Sequence, residues 1–246
     1  MEVNQVNKLL KNIICVLATI AVFSTGMSMD KLAQNNQKNK VVEETKTETK
    51  VKNYAKFKTN ENILILGDSI TELYPIDEIY GNLPIVKSGV SGYKTTDILK
   101  RMDEMAYEYN PTKVILLIGI NDIAYDTSTE NVDKTLNNIK TIIKKLKQNR
   151  KNTKIYVESI YPINRELNQN RINEDINETI INMNNEIKNM CKESKSIYIN
   201  MHDELTDVDG NFSEDYTNDG IHPNTLGYAK ITRVLTPYIF EDYDMK

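Results

Sequence analysis

Four short groups of residues hold the side-chain types that acyl transfer through a serine requires. Such chemistry needs a nucleophile, a base that takes its proton, a carboxylate that orients the base, and N–H donors for the developing oxyanion. The groups are GDSI at 67–70, GVSG at 89–92, GIND at 119–122 and DGIH at 219–222. Together they predict a catalytic site with Ser69 as its nucleophile.

The histidine content limits the choice of base, because the chain has only two histidines. His222 follows Asp219 by three residues, so one turn can bring the carboxylate to the imidazole and hold its tautomer. His202, in the run NMHDEL, follows a predicted strand and stays a second candidate, although its neighbours show no other partner pattern. We predict that Asp219 and His222 complete the catalytic group.

Three N–H donors are available for the oxyanion. Ser69 stands at a strand-to-helix turn, where its own N–H can point at the oxyanion near the positive end of a helix. Gly92 can donate a backbone N–H at close range because it lacks a Cβ, and Asn121 can donate from its side-chain amide. Gly89 is a competing glycine. Each residue also has a structural interpretation: Ser69 as a helix N-cap, the glycines as turn residues and Asn121 as a cap.

Apolar strands alternate with amphipathic helices after residue 60, which is typical of βαβ crossovers and a parallel sheet. The strands are predicted at Asn62–Leu66, Pro84–Lys87, Lys113–Ile118, Lys154–Ile160 and Ser196–Asn200. The helices are predicted at Thr96–Tyr107, Glu130–Asn149, Asp175–Glu193 and Asn224–Phe240, with a surface loop at Asn164–Asn173. We therefore expect an α/β three-layer sandwich with its site beyond the carboxyl ends of the strands.

In this order and spacing, the four groups resemble the SGNH or GDSL hydrolase superfamily over roughly residues 62–240. The resemblance implies a flavodoxin-like five-stranded parallel sheet in order 2-1-3-4-5. It also implies no metal or organic cofactor, and hydrolysis of esters, most often O-acetyl esters. Carried over by position, it assigns the nucleophile to Ser69, the oxyanion donors to Gly92 and Asn121, and the partner and base to Asp219 and His222.

The N-terminus predicts export. Lysines precede the apolar run Ile13–Phe23 and small residues follow it, as in a secretory signal. We assign residues 1–28 to a signal peptide or an uncleaved signal anchor, 29–59 to a disordered polar linker and 60–246 to the catalytic domain. The protein is then secreted or tethered to the outer face of the cytoplasmic membrane, and the membrane is a partner only through a retained anchor.

The composition argues against several other classes. A net charge of −4 gives no basic footprint for nucleic acid. Two cysteines, Cys15 and Cys191, and two histidines make a zinc site improbable, so no metal is expected. The run Asp207–Asn211 has acidic residues like a calcium loop, but its glycine comes too early for an EF-hand and a turn is favoured.

The sequence thus predicts an extracytoplasmic serine esterase that removes small acyl groups, most often acetyl, from carbohydrate. Tyr93, beside Gly92, and Tyr125, after the GIND group, are predicted to lie near the substrate pocket. Three alternatives stay open: a lysophospholipase or thioesterase, an O-acetyltransferase, and a non-catalytic glycan-binding protein on a hydrolase scaffold. The natural ester, cleavage of the signal and the oligomeric state are not predicted.

Overall fold

The computed structural model describes residues 61–81, 83–168 and 172–240. The predicted signal segment at 1–28 and the predicted linker at 29–59 lie outside the described residues. Within the described part of the chain, no helix is both long enough and apolar enough to cross a membrane.

Strands and helices alternate along the chain as the sequence pattern predicts. The strands are β1 Ile63–Gly67, β2 Ile85–Gly89, β3 Lys113–Leu117, β4 Lys154–Glu158 and β5 Ile197–Ile199. The α-helices are α1 Ser69–Glu72, α2 Ile76–Tyr80, α3 Thr95–Lys100, α4 Ile120–Ile123, α5 Thr129–Asn149, α6 Ile176–Ser194, α7 His202–Leu205 and α8 Thr225–Ile239. A π-helical turn at Asp103–Tyr107 follows α3.

The five strands form one parallel sheet in the order β2-β1-β3-β4-β5. The predicted fold class and strand order are therefore confirmed. At the carboxyl ends of three neighbouring strands, Gly67 of β1 stands level with Gly89 of β2 and Leu117 of β3. The segments that follow these three strands consequently leave the sheet side by side, and they are the segments that carry the first three residue groups.

Both faces of the inner strands β1, β3 and β4 are buried, which explains why these strands are apolar without alternation. One face packs against helices α3, α5 and α6 and forms a hydrophobic core with them. The strands contribute to this core the side chains of Leu64, Leu66, Val114, Leu116, Ile155 and Val157. The other face buries Ile63, Ile65, Ile115, Leu117 and Tyr156. Helices α5 and α6 are long and amphipathic, and each turns its apolar stripe to the core.

The predicted helix Thr96–Tyr107 was wrong in one respect, because it is not continuous. Its α-helical part ends at Lys100, and a wider π turn then covers Asp103–Tyr107. The widened turn keeps Met105 and Ala106 buried, although the α-helical hydrogen-bond pattern has stopped. The apolar spacing therefore identified the buried side chains correctly and missed the change of helix type.

The described residues divide into two compact units. The larger comprises 61–76, 84–168 and 172–231, and it contains the whole sheet and every predicted site residue. The smaller comprises 77–81, 83 and 232–240; it is mostly helical, and its buried apolar residues include Ile79, Tyr80 and Leu235.

Candidate active site

A serine, a histidine and an aspartate form a continuous hydrogen-bonded line. Nε2 of His222 lies 3.0 Å from Oγ of Ser69, and Nδ1 of His222 lies 2.7 Å from Oδ2 of Asp219. A carboxylate can only accept, so Nδ1 carries the ring proton and Nε2 is left to accept from the serine hydroxyl. The fold thus brings together three predicted site residues, although Ser69 and His222 are 153 positions apart.

The carboxylate of Asp219 is fixed by the backbone of its own turn. Its Oδ1 accepts the N–H of Ile221 at 2.9 Å and the N–H of His222 at 2.7 Å. Partial burial raises the pKa of Asp219, but the hydrogen bonds from the His222 ring and from these two N–H groups outweigh it, and the net pKa lies below its usual value. Asp219 is therefore ionised at neutral pH and can orient the imidazole.

Ser69 is the first residue of the short helix α1, directly after β1. The N-cap of this helix is Asp68, whose Oδ1 accepts the N–H of Ile70 at 3.0 Å. The alternative in which Ser69 is only an N-cap is therefore wrong, because its neighbour performs that role. The hydroxyl of Ser69 is left free to meet His222.

The turn that follows β2 contains Gly92 and is contacted by Asn121. The N–H of Tyr93 donates to the carbonyl of Val90 at 3.1 Å, and Gly92 is the third residue of this turn with φ +77°. One N–H of the Asn121 amide donates to the carbonyl of Tyr93 at 3.0 Å. The other N–H of that amide and the N–H groups of Gly92 and Ser69 have no acceptor among the described residues, so all three are available for an oxyanion.

Gly89, the competing glycine, has a structural reason to lack a side chain. A Cβ at this position would lie 2.5 Å from the N of Glu72 and 2.7 Å from the carbonyl oxygen of Asp68. The end of β2 therefore packs directly against the backbone of the nucleophile helix. A Cβ on Gly92, in contrast, would meet no atom of the described residues within 4 Å, so this side of the turn has room for a substrate.

Asp122 ties the asparagine loop to helix α3. Its carboxylate accepts the N–H of Thr95 at 2.9 Å and the hydroxyl of Thr95 at 2.6 Å. Asn138 of α5 donates to the same hydroxyl at 2.9 Å. Burial raises the pKa of Asp122, and the two bonds from Thr95 offset part of that effect. Asp122 is thus a structural residue, as the sequence indicates.

Two asparagines that the sequence analysis did not select hold the histidine loop. Asn164 donates its backbone N–H to the carbonyl of Gly220 at 2.9 Å, and Asn168 donates its amide to the carbonyl of Asp219 at 3.0 Å. Asn164 is buried, and its amide also donates to the carbonyl of Phe212 at 3.0 Å. These contacts join the segment after β4 to the turn that carries the predicted base.

The segment after β4 is itself held by asparagines of helix α6. The amide of Asn184 accepts the N–H of Ile160 at 2.8 Å and donates to its carbonyl at 2.9 Å. Asn177 forms the same pair of bonds with Ile163, at 2.9 and 2.8 Å. Each side-chain amide therefore makes the two hydrogen bonds that a peptide group of a neighbouring strand would make. These bonds fix the segment beyond the carboxyl end of β4.

His202, the second candidate base, makes no hydrogen bond to Ser69, His222 or Asp219 in the described part of the chain. It begins α7, its side chain is buried, and its Nδ1 lies 3.2 Å from Oδ1 of Asp203 and 3.3 Å from Oγ1 of Thr206. The structure places the ring of His222 next to Ser69, and it gives His202 local partners within its own helix turn.

The run Asp207–Asn211 forms the turn that the sequence favoured. Oδ1 of Asp207 accepts the N–H groups of Asp209 and Asn211, both at 2.9 Å. Thr206 and Phe212, on either side, pair as an antiparallel bridge. Within the described residues, no cluster of histidine, cysteine and acidic side chains is suited to hold a metal ion.

The two tyrosines predicted near the pocket differ in their placement. Tyr93 directly follows Gly92, its carbonyl accepts from Asn121, and the guanidinium of Arg101 lies 5.4 Å from the centre of its ring. Tyr125 follows α4 with 67% of its surface exposed. The structure therefore joins Tyr93 to the predicted site, and it leaves Tyr125 on the surface without a contact to the catalytic line.

Two buried carboxyl groups lie next to the catalytic line. Burial raises the pKa of Asp68 and of Glu158, each to about 7. The hydroxyl of Tyr161 donates to Oε2 of Glu158 at 2.7 Å, whereas Oδ2 of Asp68 has no partner among the described residues. Burial in these surroundings therefore favours the protonated form of both carboxyl groups.

A small cavity of about 10 Å³ adjoins Asp68 and Tyr161. Its lining includes Ile70, Ile120 and Ile221, which are chain neighbours of the predicted nucleophile, oxyanion asparagine and base. This volume is about what one water-sized group needs.

Two features of this site define an α/β serine hydrolase. A serine, a histidine and an aspartate are hydrogen-bonded in a line at the carboxyl edge of a parallel sheet, and free N–H donors lie at the same edge. Residues 65–230 match the model of the GDSL-like lipase/acylhydrolase family, and the chain belongs to this family. It is accordingly a serine ester hydrolase, and the predicted family and enzyme class are confirmed. A comparison with curated proteins gave no match.

Several solved structures are similar to this chain. A Streptococcus pneumonia protein described as a platelet activating factor is 32% identical, with a TM-score of 0.67, over 85% of this chain and 99% of the other. A GDSL-like lipase from Bacteroides thetaiotaomicron is 23% identical, with a TM-score of 0.67, over 78% and 95%. An acetylxylan esterase from Geobacillus stearothermophilus is 18% identical, with a TM-score of 0.58, over 78% and 97%. The last two show the fold alone.

Proposed function

We propose that this protein is an extracytoplasmic esterase that removes small acyl groups, above all acetyl, from carbohydrate. The observation that carries the proposal is the Ser69–His222–Asp219 line together with the small apolar cavity beside it. The line supplies the chemistry, and in this proposal the methyl group of the acyl part enters the cavity.

The geometry suits a two-step reaction. Oγ of Ser69 attacks the acyl carbonyl while Nε2 of His222 takes the hydroxyl proton, and the free N–H groups of Ser69, Gly92 and Asn121 stabilise the oxyanion. His222 then gives its proton to the leaving alcohol as the carbon–oxygen bond breaks. Water, deprotonated by His222, attacks the acyl-enzyme, and the acid and free Ser69 are released.

The cavity supports a short acyl group. Its lining includes Ile70, Ile120 and Ile221 beside Asp68 and Tyr161, and a cavity of about 10 Å³ suits a group no larger than a methyl. Hydrophobic pockets discriminate by about 1–3 kcal/mol for each methylene that does not fit. An acetyl ester is therefore the preferred substrate in this proposal, ahead of the lipid esters of a lysophospholipase or thioesterase.

The carbohydrate and the location rest on other support. A signal-like segment at 1–28 and a polar stretch at 29–59 favour a position outside the cytoplasm, where acetylated polysaccharides occur. An acetylxylan esterase shares the fold. Tyr93, with its ring under Arg101, offers an aromatic surface next to Gly92 on which a sugar can lie.

The catalytic part is tested by labelling with a fluorophosphonate. The wild type should gain one adduct, located on Ser69 by mass spectrometry, and Ser69→Ala should gain none. Labelling of both proteins to the same extent would contradict the assignment of the nucleophile. Glycan binding without any turnover by the wild type would instead support the non-catalytic alternative.

The substrate part is tested with p-nitrophenyl esters and acetylated glycans. We expect hydrolysis of the acetate to exceed that of the octanoate, and release of acetate from acetylated xylan, peptidoglycan or sialate to identify the glycan. Preference for the octanoate would contradict the small acyl pocket. Faster transfer to an added glycan acceptor than to water would indicate an O-acetyltransferase.

A further inference from the structure

A side-chain contact connects the nucleophile helix to the turn that carries Gly92. Glu72 is the last residue of α1, and its Oε2 accepts the N–H of Ser91 at 2.8 Å. The hydroxyl of Ser91 donates to the same oxygen. Glu72 and Ser91 are 19 positions apart, so this contact joins two separate segments of the site.

Ser91 immediately precedes the peptide group whose N–H belongs to Gly92. In the turn from Val90 to Tyr93, Ser91 is the second residue and Gly92, with φ +77°, is the third. Type I and type II turns differ mainly in the orientation of the peptide group between these two positions, and a glycine at the third position can adopt either. Holding Ser91 by both its N–H and its hydroxyl therefore restricts where the Gly92 N–H points.

A lysine completes the attachment at the same end of α1. Nζ of Lys87, on β2, donates to the carbonyl of Glu72 at 2.5 Å and to the carbonyl of Tyr74 at 2.8 Å. The bonds from Ser91 lower the pKa of Glu72 below its usual value, and the nearby charge of Lys87 adds to this effect. Glu72 therefore carries a negative charge at neutral pH, which strengthens its bonds to Ser91.

We infer that Glu72 is a positioning residue, which sets the direction of the Gly92 N–H relative to Ser69. The inference rests on the proposed function, because it concerns the oxyanion of the same ester hydrolysis. Glu72 is exposed, and hydrogen bonds between exposed groups contribute little to folding. Its effect should consequently be seen in the rate of reaction and hardly in the melting temperature.

The first test is the kinetics of Glu72→Ala with p-nitrophenyl acetate. Complete loss of one oxyanion donor costs about 10²–10³ in kcat, so a misdirected donor should cost about tenfold, with KM changed by less than about twofold. Glu72→Gln should restore most of the rate, since its amide oxygen can still accept from Ser91. A kcat for Glu72→Ala equal to that of the wild type would overturn the inference.

A matched control is Asp126→Ala. Asp126 is also an exposed carboxylate, and its Oδ1 accepts the N–H of a serine, Ser128, at 3.0 Å. That bond lies within one turn and joins no separate segments, so kcat should stay at the wild-type value. An equal loss of rate in both variants would show a general effect of removing surface charge and would overturn the inference.

A second readout does not depend on turnover. The N–H of Tyr93 is protected from hydrogen exchange by its bond to Val90, and NMR on the resting protein can follow it. We expect its exchange to become about tenfold faster in Glu72→Ala and to stay unchanged in Asp126→Ala. If exchange at Tyr93 is unchanged in Glu72→Ala, the inference is overturned, even when the enzyme is active. If the wild type is inactive but exchange is faster in Glu72→Ala and unchanged in Asp126→Ala, only the proposed function is contradicted.

Discussion

Asn164 donates its backbone N–H to the carbonyl oxygen of Gly220 at 2.9 Å, two residues before the predicted base His222. The two segments approach so closely that a Cβ on Gly220 would lie 2.1 Å from the carbonyl oxygen of Asn164. Gly220 also has φ +80°, which other residues rarely adopt. The position of the histidine loop therefore depends on the absence of a side chain at this residue.

The substitution Gly220→Ala should both destabilise the protein and displace His222. We expect the free energy of unfolding to fall by more than about 2 kcal/mol, from the strained φ together with the collision with Asn164. Denaturant unfolding and kcat for p-nitrophenyl acetate measure the two effects. Gly210→Ala is the control, because Gly210 has φ +86° but open space around it. This variant should lose only the stability that the strained φ costs.

Removing the charge of Asp219 should slow catalysis without changing the size of the side chain. In Asp219→Asn the amide can donate to Nδ1 of His222, which would favour the tautomer that cannot accept from Ser69. We expect kcat to fall by about 10²–10⁴ with KM nearly constant. Asp215→Asn changes an exposed carboxylate nearby and should keep full activity. Equal activity of the two variants would contradict the role of Asp219.

The buried carboxyl of Glu158 should make stability depend on pH. Its pKa is raised to about 7 in the folded protein, so the stability it contributes is full below its ordinary value of 4.5 and is lost as the pH rises towards 7. Glu158→Gln keeps the volume and an acceptor for Tyr161 but removes this titration.

Unfolding of Glu158→Gln and of the wild type should be compared from pH 5 to pH 8. Relative to the wild type, the variant should gain stability with rising pH, by at most about 3 kcal/mol. Glu178→Gln, at an exposed position on α6, serves as the control and should follow the wild type. Parallel stability curves for Glu158→Gln and the wild type would show that burial does not hold this carboxyl group protonated.

Enlarging the cavity should change the preferred acyl chain. In Ile221→Ala the lining loses a large side chain, and the ratio of kcat/KM for p-nitrophenyl butyrate over acetate should rise by about tenfold. Ile181→Ala, at an exposed position of α6, should leave the ratio unchanged. An unchanged ratio in Ile221→Ala would place the acyl group elsewhere.

The periodic pattern of the sequence was enough to predict the sheet and the long helices. Continuous apolar runs such as 113–118 gave the strands, and the helical stripes gave α5 and α6 to within about a residue. A helix was expected directly after Ser69, but the short helices α2, α4 and α7 were not predicted, since four or five residues contain too little of a period to recognise. The side chain of Asp68 caps α1, whereas the N-cap residues of α4 and α7 make no side-chain hydrogen bond to their helices.

Ser69, Gly92 and Asn121 lie at one edge of the sheet, as the sequence predicted, because parallel strands end at a common edge, whereas Tyr125 lies exposed on the surface. Residue type and position after a strand therefore pointed to Ser69, Gly92 and Asn121. Asn164 and Asn168 were missed, because their partners are backbone carbonyls about 50 residues away and no local pattern marks such a contact. Their positions lay within a stretch that the sequence indicated only as a surface loop.

The asparagines of α6 hold their partners without any ionisable group. Asn177 and Asn184 hold the segment after β4 through neutral amides, two bonds to each backbone unit. Neutral amides neither titrate nor attract counterions. The support beneath the histidine loop should therefore keep its hydrogen bonds in acid and in concentrated salt.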